Sequence, residues 1–229
     1  MHIERIYVPE SRGEEFTQRF CVEAEKLRLG AAYDWWPQMG GLISPQQLER
    51  VSEHVEDARS KGAEVLTGGR ARPDLGPTFY EPTVLRGTTK EMRHGVEETF
   101  GPVTTIHTYA DVDEAVALAN DTDYGLNASI WGTDLEAAER VGRRIEAGNI
   151  NVNDGLACSY ASKATPSGGL KNSGVGARHG DAGMLKYTDP VHVAVLKKQV
   201  LTTPDVEPFE KQVKQTVTSL KAMRRLRLR

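Results

Sequence analysis

Apolar residues along this chain recur with two alternating periods, and most changes of period are marked by a capping or turn residue. Ile3 to Val8 reads as a strand that stops at Pro9. Ser11 and Glu14 form a capping box ahead of Phe16, Phe20, Ala24 and Leu27, a stripe at helical spacing with Gly30 as its stop. Ser44 opens a second helix, with Pro45 at its first position and Gln47 closing another box. Leu48, Val51, Val55 and Ala58 line its buried face, and Gly62 ends it. Ala63 to Leu66 is a short strand before a Gly-Gly turn, and residues 70–78 form an exposed loop rich in Pro, Gly and charge. Phe79 to Leu85 is β-like, with Pro82 arguing against a central strand.

The order is cleaner from residue 103. Val103 to Tyr109 is a strand, and Asp111 with Glu114 caps a helix reaching about Ala119. Leu126, Ala128 and Ile130 alternate as a half-buried strand does. Thr133 and Glu136 cap a helix that Gly148 stops, and Asn149 to Asn153 is a strand again. This β-α-β-α-β order predicts an α/β fold, a parallel sheet with flanking helices. Val191 to Leu196 reads as a further strand. Beyond Pro204 and Pro208 lies a basic tail, with seven Lys or Arg and no acid over residues 211–229.

Composition narrows the class. The 229 residues are 38% hydrophobic and 27% charged, a soluble globular balance. No run approaches the ~18 apolar residues that span a bilayer. Two cysteines, Cys21 and Cys158, exclude a disulfide scaffold and a multi-cysteine zinc site, and no His cluster has ligand spacing. A net charge of −3 argues against bulk nucleic-acid binding. Without a charged-then-apolar leader at Met1, the expected compartment is the cytoplasm.

Generic chemistry motifs mostly fail. Gly169 to Gly174 has P-loop spacing, but Val175 stands where Lys is needed, and His179 stands at the third glycine of a dinucleotide fingerprint. Cys21 falls on an amphipathic helix as a half-buried thiol, and Cys158 sits in a polar loop with no base beside it. Glu98-Thr-Phe100-Gly101-Pro102 is different. Its Gly-Pro turn presents an acid and a ring two residues apart, suited to a ribose diol and a flat heterocycle, or equally to a surface acid beside a core ring.

Four segments together carry a resemblance. Glu98-Thr-Phe100-Gly101-Pro102 resembles the E-x-F-G-P signature of aldehyde dehydrogenases. Asn120 with Tyr124-Gly125-Leu126, Gly148-Asn-Ile-Asn-Val-Asn153, and Pro166-Ser-Gly168-Gly169-Leu-Lys171-Asn-Ser173-Gly174 are similar to three further segments of that family, in its order. The nearest likeness is to bacterial succinate-semialdehyde dehydrogenases, through Ile3 to Val8, Phe79 to Leu85 and Tyr124 to Ser129.

The resemblance implies the C-terminal half of such an enzyme: a partial catalytic domain over 1–185, an oligomerisation strand region over 186–203 and the basic tail over 204–229. It implies NADP or NAD as cofactor, an aldehyde substrate, and a homo-oligomer. Glu98 would hold the nicotinamide ribose, Phe100 would flank it and Gln47 would approach it. Arg50 stands where lysine is common, and Ser159 resembles a serine that helps bind a substrate carboxylate. The family's nucleophilic Cys would fall just before Met1, so no residue here is assigned a catalytic role and the chain alone is expected not to oxidise aldehydes. The alternatives are a non-catalytic assembly module and, for the tail, a basic amphipathic helix for a membrane surface or acidic partner rather than a solvated end, without stable membrane insertion.

Overall fold

A computed structural model describes residues 3–197 and 209–226. Sixteen elements follow along these residues: β1 (Arg5–Pro9), α1 (Glu10–Glu25), α2 (Pro45–Ser60), β2 (Glu64–Thr67), β3 (Thr83–Arg86), α3 (Arg93–Val96), β4 (Val103–Tyr109) and α4 (Val112–Asn120). Then come β5 (Tyr124–Gly125), β6 (Asn127–Ile130), α5 (Leu135–Gly142), β7 (Asn149–Val152), α6 (Ala157–Ala161), β8 (Leu170–Lys171), α7 (Gly180–Leu185) and α8 (Phe209–Arg225). The chain divides into two units, Met1–Tyr187 and Thr188–Arg229.

The first unit is built on a sheet of order β1-β4-β3-β2. β1 and β3 run parallel to β4, and β2 is antiparallel at the edge. Successive residues of each strand face opposite sides. Val84 and Ile106 join Val8 on one side, packed against Phe20, Cys21 and Ala24 of α1. Leu85 and Val103 turn to the other side and meet Val51, Val55 and Ala58 of α2. Helices thus cover both faces, as a largely parallel sheet requires. β6 and β7 form a separate parallel pair with α5 between them in the chain, the predicted β-α-β of residues 126–153.

Several helix boundaries differ from expectation, each for a visible reason. α1 starts at Glu10 directly behind the strand, with Pro9 as its cap residue and no side-chain capping bond, so the Ser11–Glu14 box does not form. It ends at Glu25, and Gly30 instead donates to the Met39 carbonyl in the following loop. At α5 the cap is Asp134, which accepts from the Ala137 amide, not Thr133 one residue earlier. α5 ends at Gly142, where a Cβ would lie 2.7 Å from Ile150 Cγ2. Gly148 is a glycine for another purpose: a Cβ there would overlap the Gly168 carbonyl of a crossing segment. The Ser44 cap forms as read, accepting from Gln47 N at 3.2 Å.

In the second unit, the predicted strand Val191 to Leu196 is not a strand. Its residues have no ladder partner among the described residues, and Val191, Val193, Val195 and Leu196 are 75–83% exposed. A strand exists only when a neighbour takes its hydrogen bonds. The rest of the proposed 186–203 region, residues 198–203, lies outside the described residues. The basic tail does contain a helix, α8, with Val213, Val217, Leu220 and Met223 all part-exposed. No helix of the described residues is long and apolar enough to cross a membrane.

One contact ties the turn before β4 to α2. Gly101 lies so close to the fully buried Val51 that a Cβ would overlap Val51 Cγ2. Gly101→Ala is expected to destabilise the chain by ~1–3 kcal/mol through overpacking. The double variant with Val51→Ala should recover part of that loss, measured by urea denaturation. Strict additivity of the two changes would show that the close approach is absent.

Candidate cofactor-facing loop

Residues 97–102 connect α3 to β4, and five consecutive backbone polar groups of this loop are held by side chains from elsewhere. The Glu98 carbonyl accepts from Arg50 Nη2 at 3.1 Å. The Thr99 amide donates to the Glu4 carboxylate at 2.9 and 3.2 Å, and the Phe100 amide to the same group at 3.1 Å. The Thr99 and Phe100 carbonyls accept from Gln47 Nε2 at 2.8 and 3.1 Å. The Thr99 hydroxyl lies 3.1 Å from His54 Nδ1 and 2.7 Å from His94 Nδ1.

The placement follows from two periodicities. Gln47, Arg50, Val51 and His54 are spaced i, i+3, i+4, i+7, so one face of α2 runs beneath the loop. Parallel pairing of β1 with β4 puts the start of β1, where Glu4 sits, beside the turn that enters β4. The Thr105 amide donates to the Glu4 carbonyl at 2.8 Å, extending that ladder by one residue.

Held in this way, the loop presents its two candidate side chains. Phe100 is 69% exposed and adopts φ +53°, a left-handed conformation that a side-chain-bearing residue keeps only when its surroundings impose it. The ring is therefore not a core ring. The Glu98 side chain is half-buried and its carboxylate takes no hydrogen bond from the described residues, leaving both oxygens to accept. Gln47 is nearby but spends its amide hydrogens on the loop, so only its Oε1 remains to meet a ligand. Arg50 has its role here, on the Glu98 carbonyl and 3.4 Å from Glu97.

Burial raises the Glu4 carboxyl above its ordinary value, and the Glu98 charge adds to this, against the amides of Phe100 and Thr99 that favour the charged form. Burial and the Arg93 guanidinium lower the pKa of His54, opposed by Glu97. Sequence patterning missed Glu4, Thr99, His54 and His94. The available signal was a histidine beside the apolar stripe of α2 and an acid just ahead of the first strand.

Ser159 lies in a second polar group, at the end of β7 and in α6. Its hydroxyl donates to Asn151 Oδ1 at 2.7 Å, and Asn151 Nδ2 donates to Asn127 Oδ1 at 2.8 Å. No hydrogen bond or ion pair joins this group to the 98–100 loop among the described residues. Cys158, one residue away, is exposed, and its amide donates to Asp154 Oδ2 at 2.9 Å. Cys21 is part-buried, and burial raises its thiol pKa, as befits a packing residue. A shallow depression lined by Glu114, Leu118, Asn120, Asp121 and Glu146 contains none of the candidate residues.

Comparison with known proteins bears on the chain as a whole. The sequence profile of the aldehyde dehydrogenase family matches residues 1–193. A Mycobacterium tuberculosis protein named as succinate-semialdehyde dehydrogenase (NADP+) 2 is 50% identical over 202 residues, 88% of this chain and 39% of that protein. A Sinorhizobium fredii protein named as succinate-semialdehyde dehydrogenase (NADP+) is 37% identical over 191 residues, 83% of this chain and 38% of its own length. Among solved structures, betaine aldehyde dehydrogenase from Staphylococcus aureus in complex with NAD+ superposes with TM-score 0.75 at 31% identity, covering 85% of this chain and 41% of that one. The chain thus spans about two-fifths of the length of these relatives.

Glu4→Ala would leave two amides without their acceptor, an expected cost of roughly 2–4 kcal/mol in denaturant midpoint experiments. Glu4→Gln, which keeps one oxygen, should lose less. A raised carboxyl stabilises the fold below the unfolded group's ordinary pKa, ~4.3, and that contribution is lost as pH rises through the folded value. The stability of the wild-type chain relative to Glu4→Gln should therefore decline across that window and level off above it. A flat difference would mean that Glu4 is not buried in this way.

Proposed function

We propose that this chain, which belongs to the aldehyde dehydrogenase family, supplies the cofactor-facing loop and the substrate-entrance loop for NADP- or NAD-dependent oxidation of an aldehyde to its carboxylic acid. The name of the Mycobacterium tuberculosis relative favours succinate semialdehyde as the substrate. The observation that carries the reading is the Glu98–Phe100 loop, clamped at five backbone groups while its carboxylate and ring are left for a ligand.

These residues fit a nicotinamide nucleotide. Two unengaged carboxylate oxygens on Glu98 suit a vicinal diol, which offers two O–H donors. The exposed ring of Phe100 offers an apolar wall to a flat heterocycle. Gln47 Oε1 is a further acceptor on the same side of α2. Held by Glu98, Phe100 and Gln47, a nicotinamide would supply the acceptor for the hydride that an aldehyde oxidation must remove. The residues assigned here orient and bind; none of them is assigned the role of attacking thiolate. Loss of the nucleophile from such a set can cost on the order of 10⁶ in rate, so the chain alone should form no reduced cofactor above a Cys158→Ala control.

The exposed row Val191, Val193 and Val195 supports a further part of this reading, a homo-oligomer in which the segment pairs with a sheet edge of another copy.

The test is a chimera in which this chain replaces the matching part of the mycobacterial relative. It should oxidise succinate semialdehyde with NADP+. Glu98→Gln should lower kcat/KM for the cofactor by ~10–100-fold, the worth of a hydrogen bond to a charged group. A folded chimera whose cofactor kinetics ignore Glu98 would sink the proposal.

A further inference from the structure

Beneath the 98–100 loop lie two imidazoles that the proposed chemistry does not use. His54 projects from α2 and is fully buried; His94 projects from α3 and is 4% exposed. Both bring Nδ1 to the same hydroxyl, that of the fully buried Thr99, at 3.1 and 2.7 Å. Among the described residues this hydroxyl meets no other partner.

A hydroxyl has one hydrogen to give. If both rings donated, that hydrogen would be stranded in a buried site. If neither donated, two lone pairs would compete for it. One ring must donate and the other must accept. Glu97 decides which. Its Oε2 lies 3.5 Å from His54 Nε2, long for a hydrogen bond but close enough for its charge to favour N–H over a lone pair there. A neutral His54 with Nε2–H has a bare Nδ1 and accepts from Thr99. His94 then donates from Nδ1–H. Burial and the neighbouring Arg93 guanidinium favour the neutral form of His54.

We propose that Thr99 is the positioning residue of this loop: the directed chain His94 Nδ1–H to Thr99 Oγ1–H to His54 Nδ1 locks its side chain and backbone, and so holds the strained Phe100 turn that presents Glu98 and Phe100. The hydroxyl is the sixth point at which the loop is gripped, and the one reaching furthest into the interior. The inference rests on the cofactor-facing reading of Glu98 and Phe100, but its test uses neither cofactor nor aldehyde.

Long-range proton–nitrogen correlation spectra of the 229-residue chain, at a pH where the imidazoles are neutral, should show His94 protonated at Nδ1 and His54 at Nε2. The same tautomer in both rings, or the reverse pair, overturns the proposal. Thr99→Val keeps the shape and removes the hydroxyl. Amide exchange at positions 99 and 100 should then quicken on the order of tenfold, and Thr99→Ser should restore slow exchange and both tautomers. Unchanged exchange in a folded Thr99→Val chain overturns the proposal, as does a Thr99→Ser chain as loose as the valine variant. If Thr99→Val does not fold, the serine variant and the ring tautomers decide alone. A chain that passes these tests while the chimera proves inactive retires the proposed function and keeps the positioning network.

Discussion

The Glu4 carboxylate is the acceptor on which the candidate site hangs. Two adjacent amides, those of Thr99 and Phe100, converge on it, and adjacent amides can do so only when the backbone turns sharply between them. That turn falls at Thr99, whose backbone dihedrals lie between the two nitrogens, and the left-handed Phe100 conformation follows directly after it. A half-buried carboxylate is costly, as the upward direction of its pKa reflects, and its two amide partners offset part of that cost. The Glu4 contacts thus fix the backbone immediately ahead of the strained Phe100 residue.

The sheet makes the arrangement possible. In a parallel pair both strands start at the same end, so the residue before β1 and the turn before β4 are neighbours although they lie 95 positions apart in the chain. α2 closes the arrangement from below. Gln47, Arg50, Val51 and His54 are spaced one helical turn apart or less, and each meets a different part of residues 98–101. A rigid helix face reading successive groups of a loop keeps a site more exact than a loop holding itself. The absent side chain of Gly101 lets this face come close enough.

Much of this was legible in sequence, and the remainder was not for physical reasons. β4 appears with the predicted ends, because a run rich in β-branched residues behind a Gly-Pro turn has few other solutions. The α2 cap and apolar face were equally plain. What patterning could not show was the second stripe on α2, because Gln47, Arg50 and His54 are polar and periodicity counts apolar positions. Glu4 was invisible for a related reason: a lone acid near a chain end reads as solvated, and only tertiary pairing with the turn before β4 reveals its partners. Val191 to Leu196 shows the opposite error. Its alternation is strand-like, but a strand needs a partner, and none is found among the described residues.

The segments that carry the family resemblance divide by whether their polar atoms are already spent. Lys171 donates to the Asn120 and Thr122 carbonyls at 2.8 and 3.0 Å and pairs with Glu146 at 2.7 Å. Its three hydrogens are accounted for, so it ties segments together and cannot greet a ligand. Ser173 accepts from the Gly125 amide, and Asn149 donates to the Leu126 and Gly168 carbonyls, in the same tying role. Glu98 stands apart with both oxygens unengaged. Ser159 falls between the two cases. Its hydrogen is committed to Asn151 Oδ1, yet a substrate carboxylate can only accept. For Ser159 to bind such a group it must first leave Asn151, whose buried Oδ1 would keep only the Ser159 amide at 3.3 Å. Binding of a carboxylate there is thus an exchange of one hydrogen bond for another, and its net gain must come from the charge of the ligand rather than from the bond itself.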